Sequence, residues 1–460
     1  METERLLGTD RNFLPLKTYK NILEGNALRI DWNEVIPSSQ LNYIMGNPPF
    51  VGFTYMTTEQ KDDMQYIFPG IKNLDFVAGW YKKASDYIQN TKIECGFVST
   101  NSITQGETVA RLSPLLNVKI NFAYHTFKWD SEANVKAHVH CVIIGFATFD
   151  RKEKYLYLPT QTKVKNINWY LMNAGDVIIE SRNKPLCDVQ HMVYGNKPAD
   201  GGNLIIEADE YDEFIKKEPN SIKWIHPLMG ATEYINNKKR YCLWLVGISP
   251  SELRSMPLVL GRVKKCKEKR ESSIAAAIRK FAETPTLFAQ ITQPVGHPFI
   301  IVPRVSSEKR RYVPIGFMDA NVISSDAVQI IPDANLYHFG ILTSNVHMAW
   351  MRAVCGRLKS DYRYSKDIVY NNFPWPTVND EQRERIEHTA QAILDARALY
   401  PDSSLADLYD EATMPSELRR AHQDNDRAVM QAYGFPVSRD FTESDCVARL
   451  LEMYQQLTAK

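Results

Sequence analysis

Leu41-Asn42-Tyr43-Ile44-Met45-Gly46-Asn47-Pro48-Pro49-Phe50 is the segment from which the rest of the chain is best read. Its apolar run, Tyr43 to Met45, reads as the end of a buried strand. Pro48 and Pro49 cannot continue a hydrogen-bonded ladder, and Pro48 biases Asn47 toward extended geometry. The chain is thus stopped abruptly at the carboxyl end of a strand, the side of an open α/β sheet where ligands bind. Upstream, Ile22 and Leu23 suggest a short strand, and Gly25 a turn. Downstream, residues 51–68 read as a helical or loop flap. Phe76, Trp80, Ala84 and Ile88 recur every four residues and mark a helix, with Asp75 placed to favour its start. Residues 95–99 form a buried strand, 103–116 contain another helix, and 119–129 and 138–147 are two strands around a polar turn at 130–134. The order is strand, helix, strand, helix, strand, strand.

The strand end presents three groups together. Asn47 carries an amide with an acceptor and a donor, Pro48 a stiffly held carbonyl, and Phe50 a stacking face. Two acceptors suit the two N–H protons of an exocyclic amine on a planar base, and the ring suits the face of that base. By itself the tetrapeptide also fits a strand-end turn closed by a buried Phe, because Asn-Pro opens many turns. His125 and His140 match no metal spacing, no Cys/His cluster suggests zinc, and no metal site is expected. Phe127 and Trp129 are either core aromatics or further stacking faces.

Asn47-Pro48-Pro49-Phe50 resembles the catalytic motif of amino-group DNA methyltransferases in its adenine-N6 form. The resemblance implies S-adenosylmethionine as cofactor and a target adenine turned out of double-stranded DNA. It also implies that Asn47 and Pro48 hold the amine while Phe50 stacks on the base, Pro49 completing the catalytic set. The strand order then corresponds to the C-terminal half of a Rossmann-like class I methyltransferase sheet. Asn26 matches the polar residue that meets the adenine of the methyl donor, where relatives often carry Asp; Asp31 is the second candidate, and Asn47 also faces the donor. The chain has no Gly-x-Gly, and some 40 residues before Met45 are few for the strands and helices that should come first, since a crossover unit alone takes about 30. The expectation is that the N-terminal cofactor half is missing, either because it lies on a separate polypeptide or because the chain is a truncated gene product.

Composition agrees with a soluble protein of two or three domains. The 460 residues are 44% hydrophobic and 24% charged. Nothing approaches the run of roughly 20 apolar residues that spans a bilayer, and the charged N-terminus lacks a secretion signal. Net charge is +1, so a nucleic-acid surface must be a local patch. Seven scattered cysteines read as reduced thiols of a cytoplasmic protein.

Composition shifts near residue 165. Residues 173–182 read as turn plus strand, and 194–204 as an exposed glycine-rich loop without P-loop spacing. Short strands are expected at 241–246, 287–291, 299–302 and 327–331. Residues 250–281 are helical and basic. There Lys264 and Lys265, with Arg262, Lys267, Lys269 and Arg270, form either a solvated face or a rail for DNA phosphates. Residues 356–376 combine Arg357, Lys359, Arg363 and Lys366 with hydroxyls and a Pro-locked aromatic knot. The four cations are candidates for phosphates or guanine edges; the plainer reading is an exposed basic turn over a core aromatic cluster. This segment, with Gly175-Asp176 and Gly201-Gly202, resembles the large type IIG-like restriction-modification methylases, in which the region is the target recognition domain. The domains expected are a partial methyltransferase domain at 1–165, an α+β recognition domain at 166–378 and a helical region at 379–460. A restriction subunit is a further implied partner, and no membrane is involved. The alternative is a catalytically inert recognition module that depends on a cofactor-binding partner.

Overall fold

The computed structural model describes residues 22–129 and 139–459. These fall into two units, one of residues 22–100, 111–127 and 141–163, the other of 101–110, 128–129, 139–140 and 164–459. The polar turn expected at 130–134 lies outside the described residues.

In the first unit, β1 (Tyr43–Gly46) is followed by α1 (Thr58–Ile67), α2 (Ala78–Tyr87) and β2 (Glu94–Thr100). The strands β1 and β2 pair in parallel, Tyr43 opposite Glu94, as a helical crossover requires. β3 (Lys119–Trp129), β4 (Val139–Ala147), β5 (Lys154–Leu158) and β6 (Thr160–Val164) complete a six-stranded sheet of order β1-β2-β4-β3-β5-β6. β2 runs antiparallel to β4, and β3 parallel to β5. α1 starts on a reciprocal cap between Thr57 and Gln60, which satisfies donors that the first helical turn leaves free. α2 buries Ala84 and Tyr81, with Ile88 just beyond its end, and the Tyr81 hydroxyl meets Ser99 Oγ at 2.6 Å. Tyr81, Phe97 and Phe146 form the aromatic centre of this core. Gly145 is obligatory there: a Cβ would stand 1.9 Å from the Phe122 ring.

Three expectations are corrected here. β1 is an edge strand, with Tyr43 64% and Met45 86% exposed, because among the described residues only β2 pairs with it. Ile22 and Leu23 are exposed coil. β5 and β6 were not foreseen, since Thr160–Val164 is polar and nearly all exposed.

The second unit is α+β. Its strands are β7 (Val193–Tyr194), β8 (Ile205–Glu207), β9 (Ile225–Met229), β10 (Arg240–Leu243), β11 (Phe299–Pro303), β12 (Val305–Ser306), β13 (Gly316–Met318), β14 (Ile323–Ser324), β15 (Val328–Pro332), β16 (Gly356–Leu358) and β17 (Asp361–Arg363). They make three small sheets of order β14-β9-β10-β8, β13-β11-β15-β7 and β12-β17-β16. Residues 173–182 and 287–291 are not strands; the latter contributes only a bridge from Gln290 to Lys197. The basic segment is broken into short helices around α3 (Pro257–Glu271), whose N-terminus is capped by the buried Glu218 carboxylate through the Leu258 and Val259 amides.

Helices α4 (Leu336–Leu342), α5 (Asn345–Val354), α6 (Asp380–Ala398), α7 (Ser416–Ala432) and α8 (Glu443–Thr458) follow. α6 buries Ile386, Ala390 and Ile393 and packs on α4 and α7. At Gly340 a Cβ would lie 2.6 Å from Ile386, so glycine sets how closely α4 approaches α6. Ser404 and Asp407 form a reciprocal cap at the start of the next short helix. Trp350, Tyr370, Phe373 and Trp375 anchor the largest core cluster, so the Pro-locked aromatics are interior.

Candidate active site and nucleic-acid interface

Asn47 follows β1 directly and is exposed, Pro48 is buried, and Phe50 is half-buried. Among the described residues the Asn47 amide makes no hydrogen bond, and the Pro48 carbonyl accepts none. Burial of the Pro48 ring fixes the backbone while the amide beside it is left bare. Asn47, Pro48 and Pro49 line a cleft of about 530 Å³, walled by Tyr43, Met45 and Trp80.

A second cavity, of about 660 Å³, lies beside the turn at Asn26 and Ala27, with Asp63, Phe76 and Trp80 on its walls. Asn26 Oδ1 accepts from the Leu28 amide at 3.0 Å, and its Nδ2 donates to Asp63 at 2.8 Å. Asp63 also receives Arg29 Nε at 2.6 Å, and the Arg29 guanidinium lies 4.5 Å from the centre of the Tyr66 ring. Asn26 is therefore at the cavity, but both ends of its amide are occupied by the fold. Asp31 is elsewhere: its carboxylate accepts from the Asn33 amide and caps a short helix. Of the three residues expected to face a methyl donor, Asn26 and Asn47 line the two hollows and Asp31 lines neither.

Sequence reasoning missed Trp80. Its place in a four-residue stripe assigned it to the core, yet it is half-buried and lines both hollows, with Phe76 edge-on at 5.1 Å. The usable signal was size, since the other member of that stripe inside α2 is the small Ala84. The Asp75 carboxylate, just ahead of α2, also accepts from the Phe53 amide at 3.0 Å and so holds the flap.

In the second unit the basic residues divide sharply. Lys264 and Lys265 are exposed on α3. Arg262 pairs with Glu210. Arg270 is fully buried and donates to five backbone carbonyls, those of Pro198, Ala199, Phe281, Thr284 and Leu287, at 2.7–3.1 Å. It binds the glycine-rich segment to α3, and is no phosphate contact. That segment is not a free loop either: Asp200 is buried and accepts from the Gly202 and Leu204 amides. In the 356–363 hairpin, Lys359 sits at the tip with φ of 58°, and Lys359 and Arg363 are exposed. Arg357 stacks 3.9 Å from the Tyr362 ring centre and donates to Ser360. Lys366 is half-buried against Asp367 and the Tyr194 ring, which removes it from a free cationic surface. Asn371 and Asn372 tie the aromatic knot to the carbonyls of Arg182 and Glu180.

A strand-end Asn-Pro-Pro-Phe beside two hollows, followed by an α+β unit with helices at its end, has the layout of MmeI-type proteins, in which a DNA-methyltransferase domain precedes a target recognition domain and a C-terminal domain. The chain carries the three domains of the MmeI family. Family models described as the MmeI DNA-methyltransferase, target recognition and C-terminal domains match residues 1–158, 173–377 and 378–460. DNA methyltransferase A of Bacillus subtilis (strain 168) is 39% identical across 98% of this chain and 52% of its own length. The Type IIL restriction-modification enzyme MmeI, solved in complex with DNA, superimposes with a TM-score of 0.91 at 48% identity over 100% of this chain and 63% of its own. The chain thus spans about half to two thirds of the length of these relatives. The expected loss of an N-terminal cofactor half is not supported by these matches. No helix among the described residues is long and apolar enough to cross a membrane.

Proposed function

We propose that this chain provides the catalytic and sequence-reading parts of a DNA adenine-N6 methyltransferase of a restriction-modification system, working on cytoplasmic DNA. The observation that carries the reading is the bare Asn47 amide beside the buried Pro48 at the mouth of the cleft. Asn47 Oδ1 and the Pro48 carbonyl accept the two protons of the adenine amine, which turns its lone pair out of the ring plane. Phe50 stacks on the extruded base. The amine sheds a proton only after it has become cationic, so no strong base is needed.

S-adenosylmethionine, when bound, supplies the electrophilic methyl group. The cavity beside Asn26 suits its adenosine end: the volume lies in the range of small-molecule sites, Trp80 and Phe76 offer aromatic walls, and the closed Asn26 turn brings Ala27 to the lining. Asn26 contributes by shaping that turn, and Asp31 by capping the helix after it. Lys264 and Lys265 meet phosphates, and Lys359, Arg363 and Arg357 on the hairpin approach base edges.

The test is methyl transfer from labelled donor to plasmid DNA by the wild-type chain and by Asn47→Ala. Incorporation by the wild type and none by the variant, with equal DNA binding, is expected. DNA binding without transfer by the wild type favours the inert recognition module. No binding and no transfer overturns the reading.

A further inference from the structure

Tyr55 stands five residues beyond Phe50 and is 84% exposed, although the segment carrying it is firmly held. The Tyr55 amide donates to Gly52 at 2.9 Å, closing a turn. On one side of that turn, Phe53 donates to the Asp75 carboxylate at 3.0 Å and Val51 accepts from Phe76 at 2.9 Å. On the other, Met56 is buried and Thr57 caps α1. Among the described residues the Tyr55 ring makes no hydrogen bond, ring contact or cation contact. Of the other exposed tyrosines of this unit, Tyr66 has Arg29 against its ring and Tyr124 stacks on Tyr157, while Tyr43 belongs to the edge strand β1 and lines the cleft beside Asn47. A large ring on a pinned turn, next to the strand end and with most of its surface open, is shaped to enter something.

Turning a base out of a duplex leaves an unstacked gap, and proteins that distort DNA fill such gaps with an inserted side chain. We propose that Tyr55 is the residue that stacks into the DNA beside the extruded base, a positioning residue that stabilises the flipped state without touching the reacting atoms. The inference rests on the reading of the first unit as a DNA methyltransferase. Both the ring face and the fixed turn are needed: a ring on a loose loop would lose the advantage on ordering.

The experiment separates stacking from activity. Plasmid-derived duplexes carrying 5-iododeoxyuridine in place of thymidine are bound to the full chain and irradiated, and the cross-linked peptides are identified by mass spectrometry. A cross-link at Tyr55 is expected, kept at that position by Tyr55→Phe and lost in Tyr55→Ala. In parallel, methylation is measured on a duplex whose target adenine is paired and on one where it faces an abasic site, the target having been read from methylated plasmid. Tyr55→Ala should lose about tenfold on the paired duplex and stay within about twofold of wild type on the abasic one. DNA binding with cross-links only elsewhere, or equal loss on both duplexes, overturns the proposal while leaving the methyltransferase reading standing. Absence of DNA binding by the wild type removes that reading and this inference together. If the chain binds DNA without methylating it, the cross-link alone decides.

Discussion

Asn47 and Arg270 are treated in opposite ways by the two units. Asn47 is an amide at the open end of an edge strand, exposed and without a hydrogen-bond partner among the described residues. Arg270 is a charged group with no exposure at all, its guanidinium spent on five carbonyls. The first unit leaves polar and aromatic groups facing outward around its strand end; the second draws Arg270 inward and spends it on the fold. An amide left bare at a strand end beside a cleft is the candidate for chemistry, and a guanidinium saturated by five carbonyls is a staple. The same contrast holds among the asparagines, since Asn372 donates to Glu180, Asp367 and Ile368 inside the aromatic knot.

The contrast is broken most directly at its two poles. Asn47→Ala should lower methylation by at least about a hundredfold, the scale set by removing a group that positions the reacting centre. Its thermal stability should stay within about 0.5 kcal/mol of wild type, as for other surface changes. A large loss of stability would make Asn47 structural. Arg270→Ala should cost about 4 kcal/mol or more in denaturant unfolding, because it strips several buried carbonyls at once. Arg270→Lys should rescue little of it, since an ammonium cannot match the planar fork. A mild effect would mean that the carbonyls find water.

The next effect in size concerns Trp80. Trp80→Ala should weaken S-adenosylmethionine binding by about 1–3 kcal/mol, the scale of one lost stacking partner. Titration calorimetry reads it, and unchanged affinity would move the donor away from the Asn26 cavity.

Acid should affect the second unit through its buried imidazoles. Burial pushes His347 down to about 3, and burial followed by the Arg383 charge pushes His338 down to about 4. Burial also places His422 well below its ordinary value. Unfolded, each takes up a proton near pH 6.5, so the folded state loses stability as pH falls below that value. Asp426 acts in the opposite sense: burial raises it to about 6, so it favours the folded state as pH falls from 6 toward 4. With three groups against one, stability measured by denaturant should decline from pH 6.5 to 4.5. His347→Gln should flatten that slope, and an unchanged slope would clear His347. The smallest effect expected is at Lys264 and Lys265. Replacing both with Ala should reduce the salt dependence of DNA binding by a slope of about 2, with methylation at saturating DNA unchanged.

Short-range chemistry determined much of this protein from its sequence. The two prolines stop β1, the four-residue stripes make α2 and α6, and Ser404 with Asp407 caps a helix. Asn47-Pro48-Pro49-Phe50 places the catalytic candidate because its geometry is local. Tertiary structure alone decided the rest. It made β1 an edge, because exposure depends on neighbours that an apolar run does not name. It sorted like-charged residues on one basic segment, sending Arg270 inward to its carbonyls and leaving Lys264 and Lys265 outside. It closed the Asn26 amide on Asp63, 37 positions away, and brought Trp80 to both hollows. Each of these outcomes rests on long-range packing and hydrogen bonding, which residue type and spacing along the chain do not encode.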